Sequence, residues 1–416
     1  MLQLNINRLY LIPKEKLAKF FFYAGVIIAF YGSMYPWFLW SIESYYMIPA
    51  AFFIFISMYT SMTLEKQLFS RNDFYIPLFT YAILALYQII VNQIEFNGYI
   101  AFLFNIVIYY SLFRYNPELL YKLSTFLAKS MAIILTISIP FSFLYIIGFP
   151  LPSTSIQFHD NAYSFTNYYF FLIDDRQLFA FFPRFQSVFL EPAHLGTALV
   201  VLLQAQRGYW KKWYNLVLLA GTLLTFSLGA YIYLIAVIFL NLWTNGRKIF
   251  KQLMITTTIL ASVVIGSFYY NEGDNLIHNL ILMRLEVKDG DLAGNNRVSD
   301  SFESDYQNFI MSDDIVFGTD FDRITGASGY KVYFYDYGIA GILLLICFYW
   351  AAFYRAKNKR AVTSAVIIAL LIFGVDAFVL WYNRFIPLLC TAYNNQESNT
   401  IEEKNINCKT SYEPLI

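Results

Sequence analysis

From Phe20 to Cys390 the chain is a series of apolar runs, with lysine and arginine gathered in the short links between them. About 20 such residues are what an α-helix needs to cross the ~30 Å hydrocarbon core of a bilayer. Runs of this kind before residue 149 are Phe20–Trp40, Tyr46–Met62, Phe74–Val91, Gly98–Phe113 and Phe126–Gly148. Hydrophobic residues make up 58% of the 416 and charged residues 14%, where soluble domains carry roughly 25% charged. The pattern predicts an all-α polytopic membrane protein of about 11–12 transmembrane helices, with no room for a large soluble domain.

The stretch Trp213–Thr244 sets the topology. As a single helix at 1.5 Å per residue it would reach nearly 50 Å, too long for one crossing. Arg207, Lys211 and Lys212 precede it, and Arg247, Lys248 and Lys251 follow. Short basic links stay cytoplasmic, so both ends lie inside and the stretch must cross twice, as two short spans turning at Thr225–Ala230. Lys66 with Arg71, Arg114 with Lys122, and the cluster at 355–360 fall on that same side. Four crossings then separate residues 149–183 from 271–330, and both are external loops. Their tips sit beside the mouth of the span that begins near residue 187.

The chain divides accordingly into an N-terminal bundle of about five spans (1–148), a first external loop (149–183), central spans (184–270), a large external loop (271–330), C-terminal spans (331–390) and a polar tail (391–416). The second loop is acidic, its basic residues being Arg284, Lys288, Arg297 and Arg323. Ala361–Cys390 reads as one tilted span or as two half-spans broken near Asp376 or Pro387. Cys347, Cys390 and Cys408 build neither a disulfide framework nor a zinc site. A net charge of +1 says nothing about partners; with no phosphate-binding, dinucleotide or hydrolase motif, nucleic-acid binding is excluded and no cofactor is indicated.

The chemistry-bearing stretch is Pro183–His194. Arg184, Ser187, Glu191 and His194 follow one another at spacings that share one face of a continuous helix. Leu195–Gln206 is too short to cross alone, so the helix is expected to start near Ser187, with Pro192 inside it as a kink. Glu191 and His194 would then lie below the outer surface, where charged groups face a watery cavity or a partner. A buried Arg184–Glu191 pair that only orients the helix explains the same residues. Arg297, in Gly294–Asp300, is either one of many loop ion pairs or a second cation converging with Arg184 on an anion, since guanidinium binds phosphate bidentately. Asp320-Phe321-Asp322 and Asp289-Gly290-Asp291 have the carboxylate spacing of divalent-cation sites, a pattern common by chance in so acidic a segment. No metal site is expected.

Arg184-Phe-Gln-Ser-Val-Phe-Leu-Glu191-Pro192 opening a span resembles the O-antigen polymerase family of bacterial polysaccharide assembly. So do Leu224-Thr225-Phe226-Ser227, and Asn296-Arg297 followed by Val316-Phe317-Gly318 and Tyr337-Gly338-Ile339-Ala340-Gly341. The likeness covers about residues 182–354; earlier, only the hydropathy layout matches. Leu228 stands where relatives commonly carry a basic residue. The resemblance implies a GT-C-like membrane glycosyltransferase in the bacterial inner membrane with its site facing the periplasm. It would act on undecaprenyl-diphosphate-linked oligosaccharide, with a chain-length regulator as a further partner. Arg184 and Arg297 would hold the diphosphate, and Glu191 would act as base with His194 as second candidate or support. Related ligases carry a histidine late in the second loop; Ala327-Ser328-Gly329-Tyr330 has none, which favours polymerase. A ligase and a non-enzymatic flippase for the same lipid-linked glycans stay open as alternatives.

Overall fold

The computed structural model describes residues 13–62, 68–69, 72–91, 96–158, 163–177, 182–207, 209–245, 265–273, 300–319, 329–353, 358–376 and 383–392, with isolated positions between 258 and 292 and at 356. The chain is mostly helical. Its helices are α1 (Lys14–Gly32), α2 (Met47–Met62), α3 (Tyr75–Val91), α4 (Phe96–Arg114), α5 (Pro117–Ile146), α6 (Pro192–Ala205), α7 (Trp213–Leu224), α8 (Leu228–Asn245), α9 (Asp300–Ile310), α10 (Tyr330–Phe353), α11 (Lys359–Asp376) and α12 (Ile386–Ala392). Among the described residues, three helical stretches are long and apolar enough to cross a membrane: Trp37–Met62, Pro117–Ile146 and Tyr330–Phe353. Shorter apolar helices stand beside them, α3 and α6–α8 included.

α6 is the hub. Every residue from Leu195 to Ala205 is buried, which is what a helix apolar on all sides requires. It packs against α5, α7, α8, α11 and α12. The expected division of Trp213–Thr244 into two short helices holds: α7 ends at Leu224, α8 starts at Leu228, and the turn between them is buried at Thr225 and Ser227. In the C-terminal stretch α11 runs to Asp376, and a single 3₁₀ turn, Asn383–Phe385, leads into α12; residues 377–382, where one of the two expected breaks would fall, lie outside the described residues.

Several expectations are corrected. The first run does not continue as one helix to Trp40: α1 stops at Gly32 and a 3₁₀ stretch, Trp37–Tyr46, follows. The mostly helical chain also carries a small three-stranded antiparallel sheet of β1 (Thr154–Phe158), β2 (Tyr163–Asn167) and β3 (Leu172–Asp174), with Ile156 facing Phe165 and Phe165 facing Asp174. α10 is interrupted at Gly338 (φ 59°, ψ −165°). Into this break fits the turn Val316–Thr319. Ala340 N donates to Val316 O at 2.9 Å and Thr319 N to Tyr335 O at 3.0 Å. A Cβ on Gly318 would lie 2.1 Å from Asp336 O, and one on Gly338 2.6 Å from Val316 O. The Tyr87 hydroxyl on α3 meets two carbonyls of the break, Phe317 O at 2.6 Å and Tyr337 O at 2.9 Å. Outside the membrane-like bundle, α9 lays Phe302, Tyr306 and Phe309 against Phe334 and Tyr335. A Glu303–Lys331 ion pair at 2.6 Å closes that contact.

Candidate functional site

The helix expected from Ser187 does not form. Residues 184–191 are non-helical, with a turn at Ser187–Val188; Phe185 to Leu190 are buried and Arg184 and Glu191 half-buried, and α6 begins at Pro192, with Glu191 as its extended N-cap residue (φ −140°, ψ 147°). Pro192 therefore occupies the first helical position, where a fixed φ suits the helix and a missing N–H costs nothing. It is not a kink inside a span. Helical spacing does not bring Arg184, Ser187, Glu191 and His194 together; a non-helical strand of chain that turns at Ser187 carries Arg184 and Glu191 to one cavity.

That strand is tied down by backbone pairs to three separate parts of the chain. Phe185 N donates to Leu224 O at 3.1 Å, Leu172 N to Ser187 O at 2.8 Å, and Trp37 N to Val188 O at 3.0 Å. Buried backbone needs such partners, and beside a bilayer only protein can supply them. Ser187, fully buried with φ 54°, also shares a 2.7 Å hydroxyl contact with Ser138 of α5. Tyr35, Tyr169 and Phe226, which flank this strand, are likewise non-glycine residues at positive φ. Strained backbone of this kind persists where surrounding structure over-determines it, and it gathers at functional sites.

Arg184 is positioned from both ends. Its N–H donates to Gln177 Oε1 at 2.9 Å and its Nε to Thr225 O in the α7–α8 turn at 3.3 Å. A cavity of about 180 Å³ opens beside it, lined by Asp174, Arg176, Arg184, Gln186 and Glu191, with Tyr163 among its apolar and aromatic neighbours. Two of the expected residues, Arg184 and Glu191, thus share one cavity, and a second guanidinium joins them. Arg176 grips Asp174 through a fork of hydrogen bonds, Nε to Oδ1 at 2.8 Å and to Oδ2 at 3.0 Å among them, and stacks over Tyr163 at 5.2 Å. Burial works to raise the Asp174 carboxyl, but Arg176's hydrogen bonds and charge, helped by Arg184, outweigh it and hold the group below the ordinary carboxylate range. The bond to Asp174 raises the Arg176 guanidinium against the pull of burial, with smaller contributions from Tyr163 and Glu191. Two cations and two carboxylates therefore sense one another across a small space.

His194, one turn into α6, has Nε2 3.9 Å from Glu191 Oε2. Its Nδ1 is buried without a hydrogen-bond partner among the described residues, and its ring lies 6.5 Å from that of Tyr35. Behind it, the buried Arg384 of the 3₁₀ turn stands within electrostatic range. On the other side of the strand, Val188 and Phe189 line an apolar groove of about 600 Å³ between α1, the 37–46 stretch and α5. The strand separates a charged cavity from this groove.

Arg297 lies outside the described residues, as do Asp289, Asp320 and Asp322. Among the described residues no three His, Cys, Asp or Glu side chains are grouped to hold a metal. Sequence reasoning missed Arg176 and Arg384. Arg176 looked like sparse loop charge because only the β2–β3 register carries it to Arg184. Arg384 carried one available signal, an arginine inside an apolar run, which is functional by default in a membrane setting. No family model, curated protein or solved structure matches this chain.

Proposed function

We propose that this chain is a polytopic membrane glycosyltransferase of the bacterial cytoplasmic membrane, a polymerase of lipid-linked oligosaccharide repeats working at the external face. The carrying observation is the cavity that joins Arg184 and Arg176 to Glu191 at the head of α6, with an apolar groove across one strand. An anionic headgroup on a hydrocarbon chain is the ligand class such a neighbourhood suits. In the reaction, a hydroxyl of the acceptor sugar attacks the anomeric carbon of the donor glycan. A new glycosidic C–O bond forms as the bond to the diphosphate breaks, and the hydroxyl proton passes to the Glu191 carboxylate. Arg184, with Arg297 as second cation, carries the charge that builds on the departing diphosphate, a task electrostatic preorganisation performs without proton transfer. His194 orients Glu191. Tyr163 offers an aromatic face to a sugar ring. About 11–12 spans, with the 149–183 and 271–330 segments external, complete the arrangement.

Deletion of the gene tests the reading. Surface glycan run on a gel should collapse from a ladder to a single repeat on its acceptor. A bare acceptor with accumulated polymer makes the chain a ligase, and repeats trapped in the cytoplasm make it a flippase.

A further inference from the structure

The turn Met311–Phe317 does not behave as part of a water-exposed loop. Phe317 is 64% exposed, Met311 86% and Val316 43%, a cluster of bare apolar side chains in the most acidic segment of the chain. Their position explains them. The backbone beneath is plugged into the α10 break, and Phe317's carbonyl accepts from Tyr87 on α3 at 2.6 Å. α3 and α10 are close neighbours, and each presents an outward apolar stripe at helical spacing. On α3 the stripe is Phe79, Ile83, Leu86 and Ile90; on α10 it is Ile339, Leu343, Ile346 and Trp350. Tyr87 adjoins the first stripe and Ile339 heads the second. The backbone of Phe317 is fastened to α3 at Tyr87 and beside the α10 break, next to Leu86 of the first stripe and Ile339 of the second.

We propose that Met311, Val316 and Phe317 form a membrane anchor that seats the external loop in the outer leaflet, the occupant of this surface being bilayer lipid. This rests on the reading of α10 as a membrane span. Exposed apolar and aromatic side chains at the level where helices leave the hydrocarbon are stabilised in the interface. Asp313 and Asp314, both exposed in the same turn, keep the insertion shallow, with their carboxylates in the headgroup layer. α10 then has two parts. Residues from Ile339 onward lie deeper in the bilayer, and Tyr330–Tyr337 passes through the outer interface while packing against α9. The anchor holds the root of the acidic loop at a fixed height.

The test uses the full chain with Cys347, Cys390 and Cys408 replaced, reconstituted in phosphatidylethanolamine–phosphatidylglycerol vesicles. Nitroxide labels are placed singly through Phe317→Cys, Met311→Cys, Leu343→Cys and Ser301→Cys, and collisions with oxygen and with a water-soluble nickel chelate are measured. The oxygen-to-nickel ratio at 317 and 311 should approach that at 343 and exceed that at 301 several-fold. Nickel-dominated collisions at 317 and 311 with oxygen-dominated ones at 343 overturn the anchor and leave the span intact. Poor access of both reagents at 317 means that protein covers the patch and equally overturns it. Nickel-dominated collisions at 343 as well remove the span itself, and the anchor with it.

Discussion

Replacing Gly338 by alanine should release the turn that fills the α10 break while leaving the helices on both sides folded. Gly338 sits at φ 59°, ψ −165°, a region that side chains with a Cβ enter at a cost of about 1–3 kcal/mol. The added carbon would stand 2.5 Å from Gly318 N and 2.6 Å from Val316 O. Both are backbone atoms that cannot swing aside, and overpacking of this sort costs about 1–3 kcal/mol more. Against this, the turn is held by two backbone hydrogen bonds and the Tyr87 contacts, each worth about 0.5–1.5 kcal/mol net. The two costs add to about 2–6 kcal/mol and the four contacts supply about 2–6 kcal/mol, so even a loss of about 3 kcal/mol, in the lower half of that range, removes much of what keeps the turn in place. At about 1.4 kcal/mol per tenfold, local opening becomes on the order of a hundredfold more frequent. Hydrogen–deuterium exchange on detergent-solubilised protein reads it directly. Amides of Gly318, Thr319 and Ala340 should lose protection by about that factor, while the α6 amides keep theirs. Gly374→Ala is the control: it lies in α11 with no atom within 4 Å of its Cβ position, and it should be neutral or stabilising by up to about 1 kcal/mol. Unchanged exchange at 318–319 and 340 in Gly338→Ala would refute the clasp.

In membranes supplied with lipid-linked repeats, Arg184→Lys should lower elongation more than tenfold, because charge is kept and fork geometry lost. Glu191→Gln should lower it by about 10²–10⁴-fold at unchanged protein level. Near-normal elongation in both variants takes the cavity out of the active site. The Asp174–Arg176 contact should make the β1–β3 sheet acid-sensitive. Because the folded carboxyl titrates below its ordinary value of 3.8, its contribution is complete above that value and disappears as pH falls through the lowered one. Exchange of β3 amides against pH should show this loss, and Asp174→Asn should abolish the dependence. Elongation should survive excess EDTA; loss that magnesium or manganese restores would shift attention to Asp320 and Asp322. Cysteines at Ser153 and Ser301 should react with an impermeant thiol reagent from outside, and one at Lys359 should not.

The apolar runs and their basic flanks made the helices legible, and the α7–α8 turn followed from length and charge together, because the stretch is too long for one crossing and Lys212 and Arg247 both demand the same side. Pro192 was misplaced for an instructive reason. The length argument treated α6 as a helix that must reach the surface unaided, whereas a non-helical stretch held by Leu224, Leu172 and Trp37 precedes it. Arg184 and Glu191 were legible as chemistry, yet their meeting depends on that strand and not on helical period. Arg176 was illegible because the pairing of Phe165 with Asp174 is a fact of register. The partnership of Gly318 with Gly338 is one of tertiary contact. Nothing in the local pattern announces either.

The three backbone pairs that tie down residues 184–191 also order the assembly of the protein in time. Trp37 cannot find Val188 until the chain between them has been made, about 10–30 s later at ordinary synthesis rates. Phe185 must then wait for Leu224. The N-terminal helices are thus laid down with an open seam, which residues 184–191 close once α7 has arrived. Mutations along that seam, at Trp37 or Ser138, should show themselves first as slow maturation and degradation during biogenesis, before any defect in the finished molecule is seen.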